Sequence, residues 1–563
     1  MLQGLLCSVI FLIGISGSLL AQNDVVPHNV FQEQGGIEII LDDSNDITTY
    51  DDHEGITIDH GCSHHTPRLY VTESGYNHLI ENNVAFTYMP RPEVILNMKG
   101  PSEIGKLYRS ECLPDIDFYP TYEGYLEMMN SFQEQYPDLC RVFSIGTLDS
   151  GRDIMMIQLG DDLDSSQDEP NFLYTSTMHG DETTGFPMML QLIDYLLCNY
   201  ETDSRILTLM NEVNIFINPL ANPDGTYTND NSTVQGATRR NANFIDLNRN
   251  FPDPEDGQNP DNRPTQDETL AFIEFADTYN IQMSANFHGG AEVISYPWDT
   301  WSRRHADDSW WIEVSREYAD ACQENGPNGY MRDLQDGITH GWDWFEVDGG
   351  RQDLMIYFLR GREFTVELSQ IKLESATRLP MFWNANRESL IAYLEQATYG
   401  LRGQITDCVT GEPVNAEVVM IGHDVDNSSV FSDSATGYFY RFLDGAVYNA
   451  MIVADGYDTL FMDIDIQDKE TSVINVELCQ QATTTANLDL EEVNVVITGD
   501  VLSISGSLAN EIDAIDIYTA DGRLLQSENS PRTRLDIDYL ESGIYIVRVT
   551  ADSRENSIRV YKN

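Results

Sequence analysis

The chain has 563 residues and carries 92 Asp and Glu against 32 Lys and Arg, a formal net charge of −60. That balance argues against a nucleic-acid ligand, because phosphate contacts need clustered cations. The length exceeds what one hydrophobic core organises, so several domains are expected, and 41% hydrophobic with 10% aromatic residues excludes a disordered or fibrous chain.

The first 22 residues, "MLQGLLCSVIFLIGISGSLLAQ", form a charge-free apolar run that ends in small residues. Its length suits a secretory signal peptide cleaved after Ala21 better than a membrane helix. No later segment reaches the roughly 18 apolar residues a spanning helix requires, so the chain is expected to be exported, secreted or held at the cell surface, and not membrane-spanning. Residues 23–116 contain "PRLYVTESGYNHLIENNVAFTYM", which predicts a small α/β unit folding back as a propeptide-like or accessory segment. Within it "HGCSHH" brings together His60, Cys62, His64 and His65. These are metal-capable residues, but no second ligand cluster partners them nearby, so a solvated polar loop is expected. Loss of Cys7 with the leader leaves seven cysteines, an odd number that requires at least one unpaired thiol. Cys112 with Cys140, flanking one helix, and Cys408 with Cys479, bracketing a strand-rich segment, are the expected disulfides; buried free thiols are the alternative for each pair.

From Thr121 onward strands and helices alternate. Tyr122, Tyr125, Leu126, Met129 and Phe132 keep helical spacing, and "RVFSIGT" and "DIMMIQLG" follow as a hairpin around "DSGR". "NFLYTSTM" is a short buried strand, "PMMLQLIDYLLCNY" a helix, "VNIFINPL" a strand and "DETLAFIEFADTYN" a helix. "QMSANF" and "EFTVEL" are strands, separated by the helix "SWWIEVSREYADACQE" and followed by the helix "RESLIAYLEQAT". Such alternation predicts an α/β sheet with helices on both faces, whose sites form beyond the carboxyl ends of its strands.

At one such end stands "TMHGDETTG", with His179 three positions before Glu182. The pair alone is weak, because His305, His340 and His423 each precede an Asp at the same spacing. Two further strand ends carry matching chemistry, His288 after "SANF" and Glu367 in "EFTVEL". A catalytic zinc takes three protein ligands and leaves a position open, which His179, Glu182 and His288 satisfy. Glu367 is then available as the base that takes a proton from zinc-activated water. Singly, a strand-end histidine is more often a hydrogen-bonded structural group and a lone acid a solvated one. The block between them weighs against that reading. After "NPDG", the stretch "TRRNANFIDLNRNFPD" sets Arg239, Arg240, Asn248 and Arg249 close together in a chain poor in basic residues. An arginine near zinc can hold a developing oxyanion, and an adjacent Asn and Arg can clamp a carboxylate.

The motifs "HGDETTG", "NPDG", "DLNRNFPD", "SANFHGG", "GITHGWDWFEVDGG" and "TVELS" occur in the order found in zinc metallocarboxypeptidases, and residues 117–400 resemble the carboxypeptidase D, E and M branch. The resemblance implies a doubly wound mixed β-sheet with helices on both faces, and one bound Zn2+. It implies His179, Glu182 and His288 as metal ligands, Glu367 as general base and Arg239, rather than Arg240, as the oxyanion group. It further implies Asn248 and Arg249 as ligands of the substrate's terminal carboxylate, and Asp246 as the acid orienting a zinc histidine. Phe345 stands where the family usually has a tyrosine that closes over substrate. Weakened binding or an altered rate is expected there, not loss of chemistry. Asp299, eleven residues after His288, and Gln352 follow the branch pattern for Lys or Arg at the substrate's C-terminus. Arg351 replaces a usual Met and would oppose a basic side chain if it pointed inward.

Beyond residue 400 short strands broken by Gly and Asp turns predict two small all-β sandwich domains. Residues 401–480 resemble the transthyretin-like domain that follows the catalytic domain in this branch. After a Thr-rich linker at 481–492, residues 493–563 resemble type IX secretion C-terminal sorting domains, with a plain adhesive sandwich as the alternative. The expected function is a secreted zinc carboxypeptidase acting on peptide or protein C-termini, releasing Lys or Arg, with the secretion machinery as partner of the last domain. A zinc hydrolase of another carboxylate-ended substrate, such as a cell-wall peptide, and a non-catalytic peptide-binding surface protein are the alternatives.

Overall fold

The computed structural model describes residues 26, 30–31, 36–41, 55–59, 68–107, 112–164, 167–480, 494–498, 501–505, 512–519, 522–529, 533–540, 543–551 and 554–562. The expected signal peptide, the "HGCSHH" loop and the 481–492 linker lie outside these residues. The chain divides into a unit ending at Thr398 and a unit beginning at Tyr399.

The first unit is built on an eight-stranded sheet. Its strands are β5 (Cys140–Thr147), β6 (Asp153–Leu159), β7 (Asn171–Ser176), β8 (Asn214–Asn218), β9 (Met283–His288), β10 (Glu292–Tyr296), β11 (Ile338–His340) and β12 (Arg362–Leu368), in the order β11-β10-β12-β9-β7-β8-β6-β5. The central pairs β12–β9, β9–β7 and β7–β8 are parallel, while β5–β6, β6–β8 and β10–β12 are antiparallel, so the sheet is mixed. Strands buried on both faces read as continuous apolar runs, as "NFLYTS" does. Phe172 and Tyr174 of that strand meet Tyr393 of the helix Leu379–Gln396, while the intervening Leu173 joins Phe272, Phe275 and Met355 on the opposite face. The helix Gly185–Asn199 is buried along most of its length, which explains why its sequence lacks a polar stripe. Thr121 caps the helix Tyr122–Gln135 by accepting from Gly124 N.

A smaller antiparallel sheet precedes this one. Its strands β1 (Ile37–Leu41), β2 (Ile56–Asp59), β3 (Arg68–Val71) and β4 (Phe86–Met89) lie in the order β2-β3-β1-β4 and pack, with the helix Glu73–Glu81, around Ile39, Leu69, Val71, Leu79 and Phe86.

One expected disulfide is corrected. Cys112 bonds Cys198, not Cys140, which is a buried free thiol whose Sγ donates to Tyr136 O. The chain after Cys112 runs along the helix Gly185–Asn199, where Leu113 N donates to Asp194 Oδ2 at 3.0 Å and Ile116 N to Gln191 Oε1 at 2.7 Å. That path carries Cys112 to Cys198 and away from β5. The expected Cys408–Cys479 disulfide is present.

Among its described residues the second unit is all-β. Its first part has cores of Leu401, Ile405, Val418, Phe439 and Ile452 between two sheets, and its last part buries Leu502, Ile504, Ile515, Ile517 and Val547.

Candidate metal centre and substrate cleft

Three neighbouring strands, β7, β9 and β12, deliver the chemistry at their carboxyl ends. His288 closes β9 directly opposite Glu367 of β12, and Ser176, the last residue of β7, pairs with Phe287. Beyond β7 the backbone turns through Thr177, at φ 63°, and Glu182 N donates to His179 O at 3.1 Å, putting both side chains on one turn. The turn is buttressed from "NPDG". Asn222 Nδ2 donates to Met178 O, and Thr226 Oγ1 to Gly180 O. Gly180 lies so close to Gly225 that a Cβ there would stand 2.3 Å from its carbonyl carbon.

His179, Glu182 and His288 converge. His179 Nδ1 is 2.9 Å from Glu182 Oε2 and 3.0 Å from His288 Nδ1, and His288 Nδ1 is 2.8 Å from the same carboxylate oxygen. All three side chains are buried. On the far side of the ring, His179 Nε2 lies 3.0 Å from Asp246 Oδ1. A carboxylate only accepts, so Nε2 carries the proton and the Nδ1 lone pair faces the other two ligands. Two nitrogens and an anionic oxygen drawn together in a buried site call for a cation among them, and this donor set suits zinc. Burial lowers the His288 pKa, against the pull of Glu182 and Glu367, which keeps that ring in the neutral form a ligand needs. Burial and Arg239 also push His179 down, but Glu182 and Asp246 outweigh them and raise it; the same two anions favour a divalent cation at Nδ1.

Arg239 is buried beside this group. Its Nε donates to Asp246 Oδ2 at 2.8 Å, and its Nη1 lies 3.2 Å from Glu182 Oε1. Burial alone would raise Asp246, yet Arg239 and His179 hold its carboxyl well below the usual range. Arg240 points elsewhere and donates to Thr57 Oγ1 at 2.8 Å. Glu367 is fully buried next to His288.

The residues expected to bind substrate extend from the same core. Asp246 caps the short turn Leu247–Arg249, accepting from Asn248 N, and Asn248 Oδ1 accepts from Arg351 N at 3.0 Å. Gln352 Nε2 donates to Asp299 Oδ1 at 2.9 Å, and Asp299 N donates to Asp353. Burial raises the Asp299 carboxyl to about 7, against the pull of Arg249. Arg351 is not a bare charge beside Asp299. Its Nε and Nη2 fork Glu363 at 3.1 and 2.8 Å, and its Nη1 donates to Thr175 Oγ1. Phe345 is half-buried against Trp344, Ala291 and Val293, just past the end of β9.

Several residues of this region went unnoticed in the sequence. Lys372 Nζ lies 3.4 Å from Glu182 Oε1, and Arg91 donates to Asp181 Oδ2 at 2.9 Å. Glu363 supplies the counter-charge for Arg351. Scarcity was the available signal for the first two, since basic residues are rare in this chain; Lys372 also lies close after "TVELS", whereas Arg91 is far from every motif.

A family profile described as zinc carboxypeptidase matches residues 125–389. Mouse carboxypeptidase M is 32% identical over 375 residues, covering 63% of this chain and 82% of that protein. The chain belongs to the zinc carboxypeptidase family. Human carboxypeptidase D is 31% identical over 466 residues, covering 75% of this zinc carboxypeptidase and 33% of the relative, so the chain spans about a third of that protein's length. The crystal structure of carboxypeptidase A from Helicoverpa armigera aligns with a TM-score of 0.50 at 15% identity, covering 65% of this chain and 98% of that one, a likeness of fold. Residues 498–563 match the secretion system C-terminal sorting domain. No helix among the described residues is long and apolar enough to cross a membrane.

Proposed function

We propose that this chain is a secreted zinc-dependent metallocarboxypeptidase that hydrolyses the C-terminal peptide bond of peptides or proteins and releases Lys or Arg. The observation that carries the reading is the convergence of His179, Glu182 and His288 next to Glu367 on the adjoining strand. These three residues would hold one zinc ion. Zinc, when bound, polarises the scissile carbonyl and makes water acidic enough to lose a proton near neutral pH.

The chain's own groups supply the rest. Glu367 accepts the proton as the water oxygen attacks the carbonyl carbon, then delivers it to the departing amine nitrogen as the C–N bond breaks. Arg239 donates to the oxygen that gains charge. Asp246 fixes the tautomer and orientation of His179. Asn248 and Arg249 bind the terminal carboxylate, which confines cleavage to the last residue. Asp299, held by Gln352, receives a cationic side chain, and Phe345 covers the pocket. The Arg351–Glu363 pair supports basic specificity, because the charge that would repel Lys or Arg is neutralised within the core.

The proposed organisation is a signal peptide at 1–22, an accessory segment at 23–116, the catalytic domain at 117–400, a transthyretin-like sandwich at 401–480, a linker at 481–492 and a sorting domain at 493–563. The last engages the secretion machinery and places the enzyme outside the cell or at its surface.

A panel of peptides differing only in the last residue, assayed with and without a chelator, tests the reading. Cleavage confined to Lys- and Arg-ended members and lost with chelation is expected. Chelator-insensitive cleavage would remove the zinc assignment, and a preference for acidic or apolar ends would overturn the role given to Asp299.

A further inference from the structure

Lysine is rarely buried unless an anion pairs with it, and Lys372 is buried beside the candidate metal centre. It lies on the turn that leaves β12 after Glu367. That turn is tied to both ligand-bearing segments. Thr183 N donates to Lys372 O at 3.0 Å, Ser369 Oγ lies 2.9 Å from Thr184 Oγ1, and Gly290 N donates to Ser369 O at 2.8 Å. The lysine stem passes over Gly290, where an added Cβ would stand 3.4 Å from its Cε. Backbone and stem together give the ammonium a set position. Nζ lies 3.4 Å from Glu182 Oε1 and 3.9 Å from Glu38 Oε1, so the ligand carboxylate is the nearer of these two anions.

The two oxygens of Glu182 have unlike surroundings. Oε2 lies 2.9 Å from His179 Nδ1 and 2.8 Å from His288 Nδ1, and it accepts from Gly289 N at 3.2 Å. Oε1 faces two cations, Arg239 Nη1 at 3.2 Å and Lys372 Nζ at 3.4 Å. Arg239 has other work, because its Nε donates to Asp246 and its proposed role is to donate to the substrate oxygen that gains charge. Lys372 is the cation that can remain on Oε1 when Arg239 does so.

We infer that Lys372 is a positioning residue of the metal centre, acting through Glu182: it keeps Oε1 engaged during the reaction and draws negative charge off the ligand carboxylate. The inference rests on the reading of Glu182 as a metal ligand. A cation beside a ligating carboxylate makes it a poorer donor and leaves the bound metal more electron-poor, which favours polarisation of a carbonyl. The same cation repels the metal. Lys372 therefore loosens zinc binding while it favours turnover.

The test compares the full zinc-loaded chain with Lys372→Met, which keeps the apolar stem and removes the charge, and with Lys372→Arg, which keeps the charge. Zinc transfer to a competing chelator is measured beside turnover of a short peptide ending in Arg. Lys372→Met should hold zinc about tenfold more tightly and lower kcat by about tenfold, with KM little changed. Lys372→Arg should return both values toward wild type. The two changes run in opposite senses, whereas damage to the site would release zinc and slow turnover together. Zinc held no more tightly by Lys372→Met, or held more tightly with kcat unchanged, overturns the inference; the peptidase reading still stands if Glu367→Gln is inactive. Turnover indifferent to Glu367→Gln overturns the peptidase reading instead, and tighter zinc in Lys372→Met then still upholds the pairing of Lys372 with the ligand.

Discussion

At the scale of single residues, the proposed roles separate groups that would hold a metal from a group that would move a proton, and the two can be told apart by experiment. Glu367→Gln keeps the shape of the side chain and removes its basicity. Turnover should fall by roughly 10²–10⁴-fold, while zinc content, measured by atomic absorption, stays at the wild-type level. His288→Ala should instead lower zinc content itself. Asp299 adds a pH signature. Burial raises its carboxyl to about 7, so the group is anionic above that pH and neutral below it. The ratio of kcat/KM for Arg-ended over Leu-ended peptides should therefore fall as pH drops through 7, and Asp299→Asn should flatten the profile. Glu367, His288 and Asp299 could be singled out in the sequence because each closes or follows a buried apolar run. The Arg351–Glu363 fork was not, because nothing in "GGRQD" tells where a long side chain points.

At the scale of elements, the turn carrying His179 and Glu182 depends on a backbone-to-backbone contact between "HGD" and "NPDG". Gly180→Ala would drive a methyl into the Gly225 carbonyl, and backbone cannot step aside as a flexible side chain can. A loss of about 1–3 kcal/mol is expected, seen as a lower denaturation midpoint together with weaker zinc retention. Element types along 121–396 were readable from periodicity, and the hairpin around "DSGR" pairs as its spacing predicts. Strand order was not readable. β9 inserts between β7 and β12 across long stretches of chain, and alternation of side chains carries no information about which strand lies beside which. The short edge strand β11 escaped notice for a related reason, since three residues are too few to show a period.

At the scale of the whole chain, family motifs and composition located the enzyme and the β-rich C-terminal unit, while covalent connectivity needed the fold. The sequence offered Cys140 as the partner of Cys112 by proximity. The path beside the helix Gly185–Asn199 selects Cys198, 86 residues away. Closing so long a loop restricts the unfolded chain, so Cys112→Ser with Cys198→Ser should cost about 2–5 kcal/mol. A drop in the thermal midpoint under non-reducing conditions would report it, and adding reductant to the double variant should produce no further drop from this bond.

The Cys112–Cys198 bond also decides what a single nick does to the molecule. Among the described residues, no disulfide joins the sheet β1–β4 to the rest of the chain, so a protease that cuts between β4 and Cys112 should give a fragment that separates on a gel whether or not reductant is present. A cut between Cys112 and Cys198 leaves two pieces that travel as one band until the bond is reduced. Position relative to one cysteine thus separates departure of the N-terminal unit from mere damage, and two gel lanes suffice to see which has happened.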